Sequence, residues 1–167
     1  GEGKSTTLYN VALTLAIAKQ KVLVIDSDIR RPSQHKLFKI SRSPGIIDYL
    51  DGKTSLEGLI KKTEFPNLDF IPSGKVHNAH FSFNILHDKK LFGMVKELAQ
   101  SYDKVFMDSP PAIGISDASI FANRSDGVVF VIQYRRNPAS MCLRAKEIIQ
   151  SAGGNILGIV LNQVPCD

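Results

Sequence analysis

The first periodic segment opens almost at the start of the chain. Leu8, Val11, Ala12, Leu15 and Ala16 fall at helical spacing, so residues 4–19 are predicted as a helix with one face turned inward. Val22-Leu23-Val24-Ile25 follows without polar interruption. A β-branched-rich run of that kind reads as a strand buried on both faces. Asp26-Ser27-Asp28 closes the run and marks the C-terminal end of the strand, where ligand crevices form in open α/β sheets. Residues 27–66 carry no long period and read as loop with short helical pieces. After the Pro44-Gly45 turn signal, residues 46–50 predict a short helix ending near Gly52. Thr54 or Ser55 can cap another short helix holding Leu56, Leu59 and Ile60.

The second half alternates in the same way. Residues 68–71 predict a strand that stops at Pro72, and residues 73–87 a loop. Leu91, Met94 or Val95, and Leu98 give a helical face over residues 88–100. Residues 105–107 form a strand ending at Asp108, and residues 117–123 a short helix. A strand over 128–132, a helix over 139–152 (Met141, Ala145, Ile148, Ile149) and a last strand over 156–161 complete the series. Strands that alternate with helices require right-handed crossovers, which implies an α/β fold with a mostly parallel sheet and helices on both faces.

Bulk properties narrow the class. A chain of 167 residues, 43% apolar and 22% charged, can bury a core and has the ordinary composition of a soluble globular domain. No apolar run approaches the roughly 18 residues of a membrane span. The net charge is +5, yet no basic run exceeds two residues and no aromatic residues interleave with them. A stacking platform for nucleic acid is therefore not expected. Cys142 and Cys166 are isolated thiols that fit a reducing compartment. Cys142 lies at a helical position and reads as a structural thiol, buried or half-buried.

The strongest chemical signal is Gly1-Glu2-Gly3-Lys4-Ser5-Thr6. It matches the second half of the phosphate-binding loop G-x-x-x-x-G-K-[ST], and it opens a helix, the context this motif requires. In such a loop backbone N–H groups face phosphate oxygens, the lysine reaches the terminal phosphates and the hydroxyl goes to Mg²⁺. Asp108 ends an apolar strand, the pattern of a carboxylate that holds a magnesium-bound water. Asp26 and Asp28 place two carboxylates at one strand end beside Arg30 and Arg31. Such a pair needs a nearby cation, and one of the two can take a proton from an attacking hydroxyl. His77, His80 and His87 have no cysteine nearby and read as solvated loop residues rather than metal ligands. Residues 1–167 are read as a single P-loop domain, cut inside its own phosphate loop.

Three stretches together resemble the bacterial tyrosine kinases, the cytoplasmic P-loop kinases of capsule and exopolysaccharide synthesis. They are Gly1 to Thr7, the D-x-D-x-R-x-P run from Val22 to Pro32, and Val105 to Pro111. They match the Walker A, Walker A′ and Walker B motifs of that family. The likeness continues through Pro44-Gly45, Ile71 to Gly74, Ser116 to Ala118, Asp126 to Val129 and Leu157 to Asn162. It implies a P-loop NTPase fold and autophosphorylation on tyrosine with ATP and Mg²⁺, regulating polysaccharide synthesis and export. By the same likeness Lys4 contacts phosphates, Ser5 binds Mg²⁺ and Thr6 lies near the α-phosphate. Asp26 and Asp28 are the paired carboxylates, with Asp26 and Asp108 on the metal side, and Asn162 touches the adenine edge. Implied partners are a membrane polysaccharide co-polymerase, fused or separate, and further copies of the chain. The implied location is the cytoplasmic face of the cell membrane.

The chain departs from that family in three places. The strand before the phosphate loop and half of the loop are not in the sequence. Removing that strand is expected to expose backbone groups on its neighbours, leaving the piece poorly stable and weak in ATP binding. The tyrosine-rich tail is also missing, and Tyr9, Tyr49, Tyr102 and Tyr134 do not cluster. Residues 75–87 replace a proline-rich stretch of the family, which puts contacts near that loop in question. Two other functions stand as rivals: a partition-type ATPase switch, although the related partition ATPases usually lack the D-x-D-x-R-x-P form, and a nucleotide-binding regulatory subunit without catalysis.

Overall fold

A computed structural model describes residues 2–76, 89–110 and 117–165. The chain divides into two compact units, Ser5–Asp108 and a second made of Gly1–Lys4 with Ser109–Asp167. The first unit holds α1 (Lys4–Ile17, entered from the last residue of the opening segment), β1 (Val22–Asp26), α2 (Gln34–Leu37) and α3 (Ile46–Leu50). It continues with α4 (Leu56–Leu59), β2 (Lys61–Lys62), β3 (Leu68–Ile71), α5 (Lys89–Leu98) and β4 (Lys104–Asp108). Its sheet runs β2-β3-β1-β4. β1 is parallel to both β3 and β4, and β2 is an antiparallel edge.

Every residue of β1 is buried, as an uninterrupted apolar run in a parallel sheet requires. Successive side chains leave opposite faces of a strand. Val22 and Val24 therefore join Leu68 and Phe70 in one cluster, beneath Ala12 and Ala16 of α1. Leu23 and Ile25, on the opposite face, are equally buried. Phe38 closes the first cluster, stacked on Phe70 at 4.7 Å and met edge-on by Tyr9 at 4.9 Å. That aromatic contact adds Tyr9 to the face α1 turns inward. Tyr9 and Leu13 face the cluster, while Val11, predicted inward, is 43% exposed. Leu8, Ala12, Leu15 and Ala16, the other residues of the predicted face, lie in the cluster or against it.

In α5, Leu91, Met94 and Leu98 are the buried residues, so Met94 rather than Val95 completes the inward face. Ser55 caps α4, its hydroxyl accepting from the Gly58 N–H at 3.2 Å. α2 and β2 had no individual expectation. Two to four residues cannot display a period, and the two lysines of β2 carry no apolar alternation.

The second unit contains α6 (Asp117–Asn123), β5 (Val128–Gln133), α7 (Ala139–Ser151) and β6 (Ile156–Asn162). β5 and β6 are parallel, with an irregularity between Val128 and Val129. Ala145 and Ile149 are the buried residues of α7, whereas Met141, expected inward, is 41% exposed. Cys142 is half-buried, as expected, 3.9 Å from the Asn137 carbonyl. Each unit is thus built from parallel strands and helices, the mostly parallel α/β architecture that the alternating pattern implies.

Candidate functional site

The parallel register of β1 and β4 sets Asp26 directly opposite Asp108. Both stand at the C-terminal ends of their strands, and the Ser27 N–H extends the ladder by donating to the Asp108 carbonyl at 3.0 Å. Asp26 is 0% exposed and Asp108 3%. Burial resists ionisation of Asp26 most, and the neighbouring charge of Asp108 adds to it. The Gln34 backbone N–H, 3.2 Å from Asp26 Oδ2, opposes both. The outcome is a carboxyl pushed up to about 7. The second oxygen of Asp26, Oδ1, is buried without a hydrogen-bond partner.

Ser5, in the first turn of α1, is tied to this acidic end by two residues that the sequence did not single out. The Gln34 side-chain amide donates to the Ser5 carbonyl and to Asp108 Oδ2, both at 3.0 Å. The Ser33 hydroxyl bonds the Ser5 hydroxyl at 2.8 Å. The structure therefore brings Ser5, Asp26 and Asp108 together, with Ser33 and Gln34 as the link. Asp28 lies two residues past the strand end, half-buried, its Oδ1 accepting from the Arg31 N–H at 3.0 Å. Thr6 is exposed on α1.

Glu2, Gly3, Lys4 and Asn162 meet within the second unit. Lys4 Nζ is 2.8 Å from Glu2 Oε2, and that hydrogen bond lowers the Glu2 carboxyl below its ordinary value. The Asn162 amide donates to the Glu2 carbonyl at 3.0 Å, and its oxygen accepts from the Gln163 N–H at 2.9 Å. Gly3 has φ +85°, and a Cβ there would run into the Asn162 amide. Only glycine satisfies both conditions. Gly1, His77, His80, His87 and Cys166 lie outside the described residues.

Among the described residues no group of three or more His, Cys, Asp or Glu is placed to hold a metal. A cation that keeps most of its waters needs fewer protein ligands than such a group supplies. Mg²⁺ is such a cation, taking one or two carboxylates together with phosphate oxygens. A hydroxyl at Ser5, two buried carboxylates and the orphaned Asp26 Oδ1 are a donor set that fits it. α1, with fourteen residues, begins at Lys4 and presents its N-terminal end at the glycine turn. A helix start of this kind favours anions.

Ser33 and Gln34 were missed because polar residues in an aperiodic stretch carry no sign of burial. Their one legible feature is position, immediately after Asp26-Ser27-Asp28-Ile29-Arg30-Arg31-Pro32.

Comparison with known proteins bears on this arrangement. A family described as AAA domain matches residues 1–144. The putative tyrosine-protein kinase CapB of Staphylococcus aureus is 33% identical over 165 residues, spanning 99% of this chain and 72% of that protein. Tyrosine-protein kinase CpsD of Streptococcus agalactiae is 36% identical over 173 residues, spanning 98% and 70%. Among solved structures, the kinase domain of the Escherichia coli tyrosine kinase ETK has a TM-score of 0.93 at 29% identity, covering 100% of this chain and 65% of that one. The cell division ATPase MinD of Pyrococcus furiosus has a TM-score of 0.80 at 24% identity, covering 96% and 67%. At that identity the likeness is one of fold alone.

Proposed function

This chain belongs to the bacterial tyrosine-protein kinases, and we propose that it transfers the γ-phosphoryl group of ATP, bound with Mg²⁺, to tyrosine hydroxyls. One observation carries the reading. Ser5 of the phosphate loop and the carboxylates Asp26 and Asp108 are joined through a single buried residue, Gln34.

Phosphoryl transfer asks little covalent chemistry of a protein, so catalysis rests on positioning and on charge. Gly1, Glu2 and Gly3 supply backbone N–H groups to the phosphates, and Lys4 neutralises charge on the oxygens of the moving group. Thr6 stands at the same helix start toward the α-phosphate. Ser5, Asp26 and Asp108 hold the metal side. Mg²⁺ held there would supply positive charge to offset the negative charge of the phosphate oxygens. Asp26 is fully buried, which suits it to that inner position. Asp28 is the more accessible member of the pair, and it takes the proton of the incoming tyrosine. The tyrosine oxygen then bonds to the γ-phosphorus as the bond from phosphorus to the ADP oxygen breaks. Asn162, with one donor and one acceptor on its amide, serves the adenine edge by exchanging its present backbone partners.

The family's setting extends the proposal. The domain regulates capsular or exopolysaccharide synthesis as an autokinase, in contact with a membrane co-polymerase and with other copies of itself. Its place is the cytoplasmic face of the membrane. Among the described residues no helix is long and apolar enough to cross a membrane.

Lys4→Met tests the core of the proposal. The variant should lose phosphotyrosine formation on incubation with Mg-ATP while keeping its circular dichroism and thermal midpoint. Phosphotyrosine still appearing in that variant overturns the assignment. Phosphate release from wild type without any phosphotyrosine points instead to an ATPase switch.

A further inference from the structure

Gln34 is the fully buried one of the two polar side chains, Ser33 and Gln34, that the phosphate-binding and carboxylate motifs leave unexplained. Glutamine is seldom fully buried, yet Gln34 is 0% exposed. An amide NH₂ has two hydrogens to give. Gln34 gives to the Ser5 carbonyl and to Asp108 Oδ2, each at 3.0 Å. Its backbone N–H bonds Asp26 Oδ2 at 3.2 Å, and Ser33 beside it bonds the Ser5 hydroxyl at 2.8 Å. Two consecutive residues thus touch all three groups assigned to the metal side.

The amide has a second end. Gln34 Oε1 is buried and accepts no hydrogen bond, as is Asp26 Oδ1. A buried acceptor left unpaired is costly, and two in one cluster call for a donor or a cation. Water bound to Mg²⁺ turns its hydrogens outward and requires acceptors of this kind.

We propose that Gln34 is a positioning residue for magnesium. Its amide nitrogen locks Asp108 to the first turn of α1, and its amide oxygen accepts from a water of the metal. The role rests on the reading of Ser5, Asp26 and Asp108 as the magnesium–nucleotide site. It predicts a defect specific to the metal rather than to nucleotide or fold. Outer partners of metal ligands typically change metal affinity by about 10- to 100-fold.

The test uses the full chain and ADP, so that turnover is not needed. ADP affinity is measured by calorimetry in excess chelator, and Mg²⁺ is then titrated at saturating ADP with the thermal midpoint as the signal. Gln34→Met keeps the volume and removes the amide. It should raise the Mg²⁺ concentration for half-maximal stabilisation by about tenfold or more, with metal-free ADP affinity unchanged. Gln34→Asn keeps an amide on an arm one methylene shorter and should show the same metal-specific shift, which covers a Gln34→Met protein that does not fold. Equal losses with and without metal, or no change in the folded variants, overturn the positioning role while leaving the kinase reading intact. A wild type whose ADP binding ignores Mg²⁺ overturns the metal site itself, and the role of Gln34 falls with it.

Discussion

Asp26 has one oxygen on the Gln34 N–H and the other on nothing, at zero exposure and opposite a second carboxylate. In the folded, metal-free protein its proton is therefore held up to about 7, against 3.8 for the free side chain. Between those two values the unfolded chain has released the proton and the folded chain keeps it. The folded state binds more protons there, so stability falls as pH rises through the window, by at most about 1.4 kcal/mol per unit. Below the lower value both states are protonated and the penalty vanishes. Thermal melts in chelator from pH 4 to pH 7 should show this decline, and Asp26→Asn should flatten it. A wild type with the same slope as Asp26→Asn would contradict the account. Gly3 makes a second test at this scale. Gly3→Ala meets both a positive φ and the Asn162 amide, and should cost at least about 1–2 kcal/mol in denaturant melts. Asp26 and Gly3 could be singled out from sequence because their residue types have few other uses at a strand end and a phosphate loop. The elevated proton affinity could not be, because it depends on the register that brings Asp108 alongside.

α2 is four residues long, and a helix of one turn has no stability of its own. It is pinned at both ends. Gln34 enters the acidic cluster at its start, and Phe38, just past its end and 4% exposed, lies between Tyr9 of α1 and Phe70 of β3. The core under α1 and the positioning of the carboxylates are thus mechanically one feature. Phe38→Ala should destabilise the protein by about 3–5 kcal/mol in chemical denaturation, and a loss below about 1 kcal/mol would show that Phe38 is not a core anchor. The longer elements were legible because period and run length identify them. α1, β1, β3, α5, β4, β5, α7 and β6 all occur close to where apolar spacing puts them. α2 was not legible, since its place is set by contacts distant in sequence.

At the scale of the whole domain, the four tyrosines within this sequence are candidate acceptors for the kinase's own activity, and their surroundings separate them. Tyr9 is committed to the core, edge-on to Phe38 at 4.9 Å. The Tyr102 hydroxyl donates to Asp69 Oδ2 at 2.7 Å, and the same oxygen takes Lys62 Nζ at 2.7 Å. Burial, then the Asp69 hydrogen bond and charge, push the Tyr102 hydroxyl well above its ordinary value. As a nucleophile it would first have to leave Asp69. As a product it would set a dianionic phosphate against a carboxylate that is 7% exposed, a like-charge pair with little solvent screening. Tyr49 and Tyr134 are half-buried and have a cation over the ring instead, Lys90 at 4.5 Å and Arg135 at 5.1 Å. Cationic neighbours suit a phosphate. Mass-spectrometric mapping after incubation with Mg-ATP should therefore find Tyr9 and Tyr102 unmodified. The double variant Tyr9→Phe, Tyr102→Phe should retain the wild-type phosphotyrosine yield within about twofold, a change worth roughly 0.4 kcal/mol of barrier. Phosphate recovered on Tyr102 would mean that the Asp69 contact opens readily, and that hydroxyl engagement does not govern which tyrosines this kinase can modify.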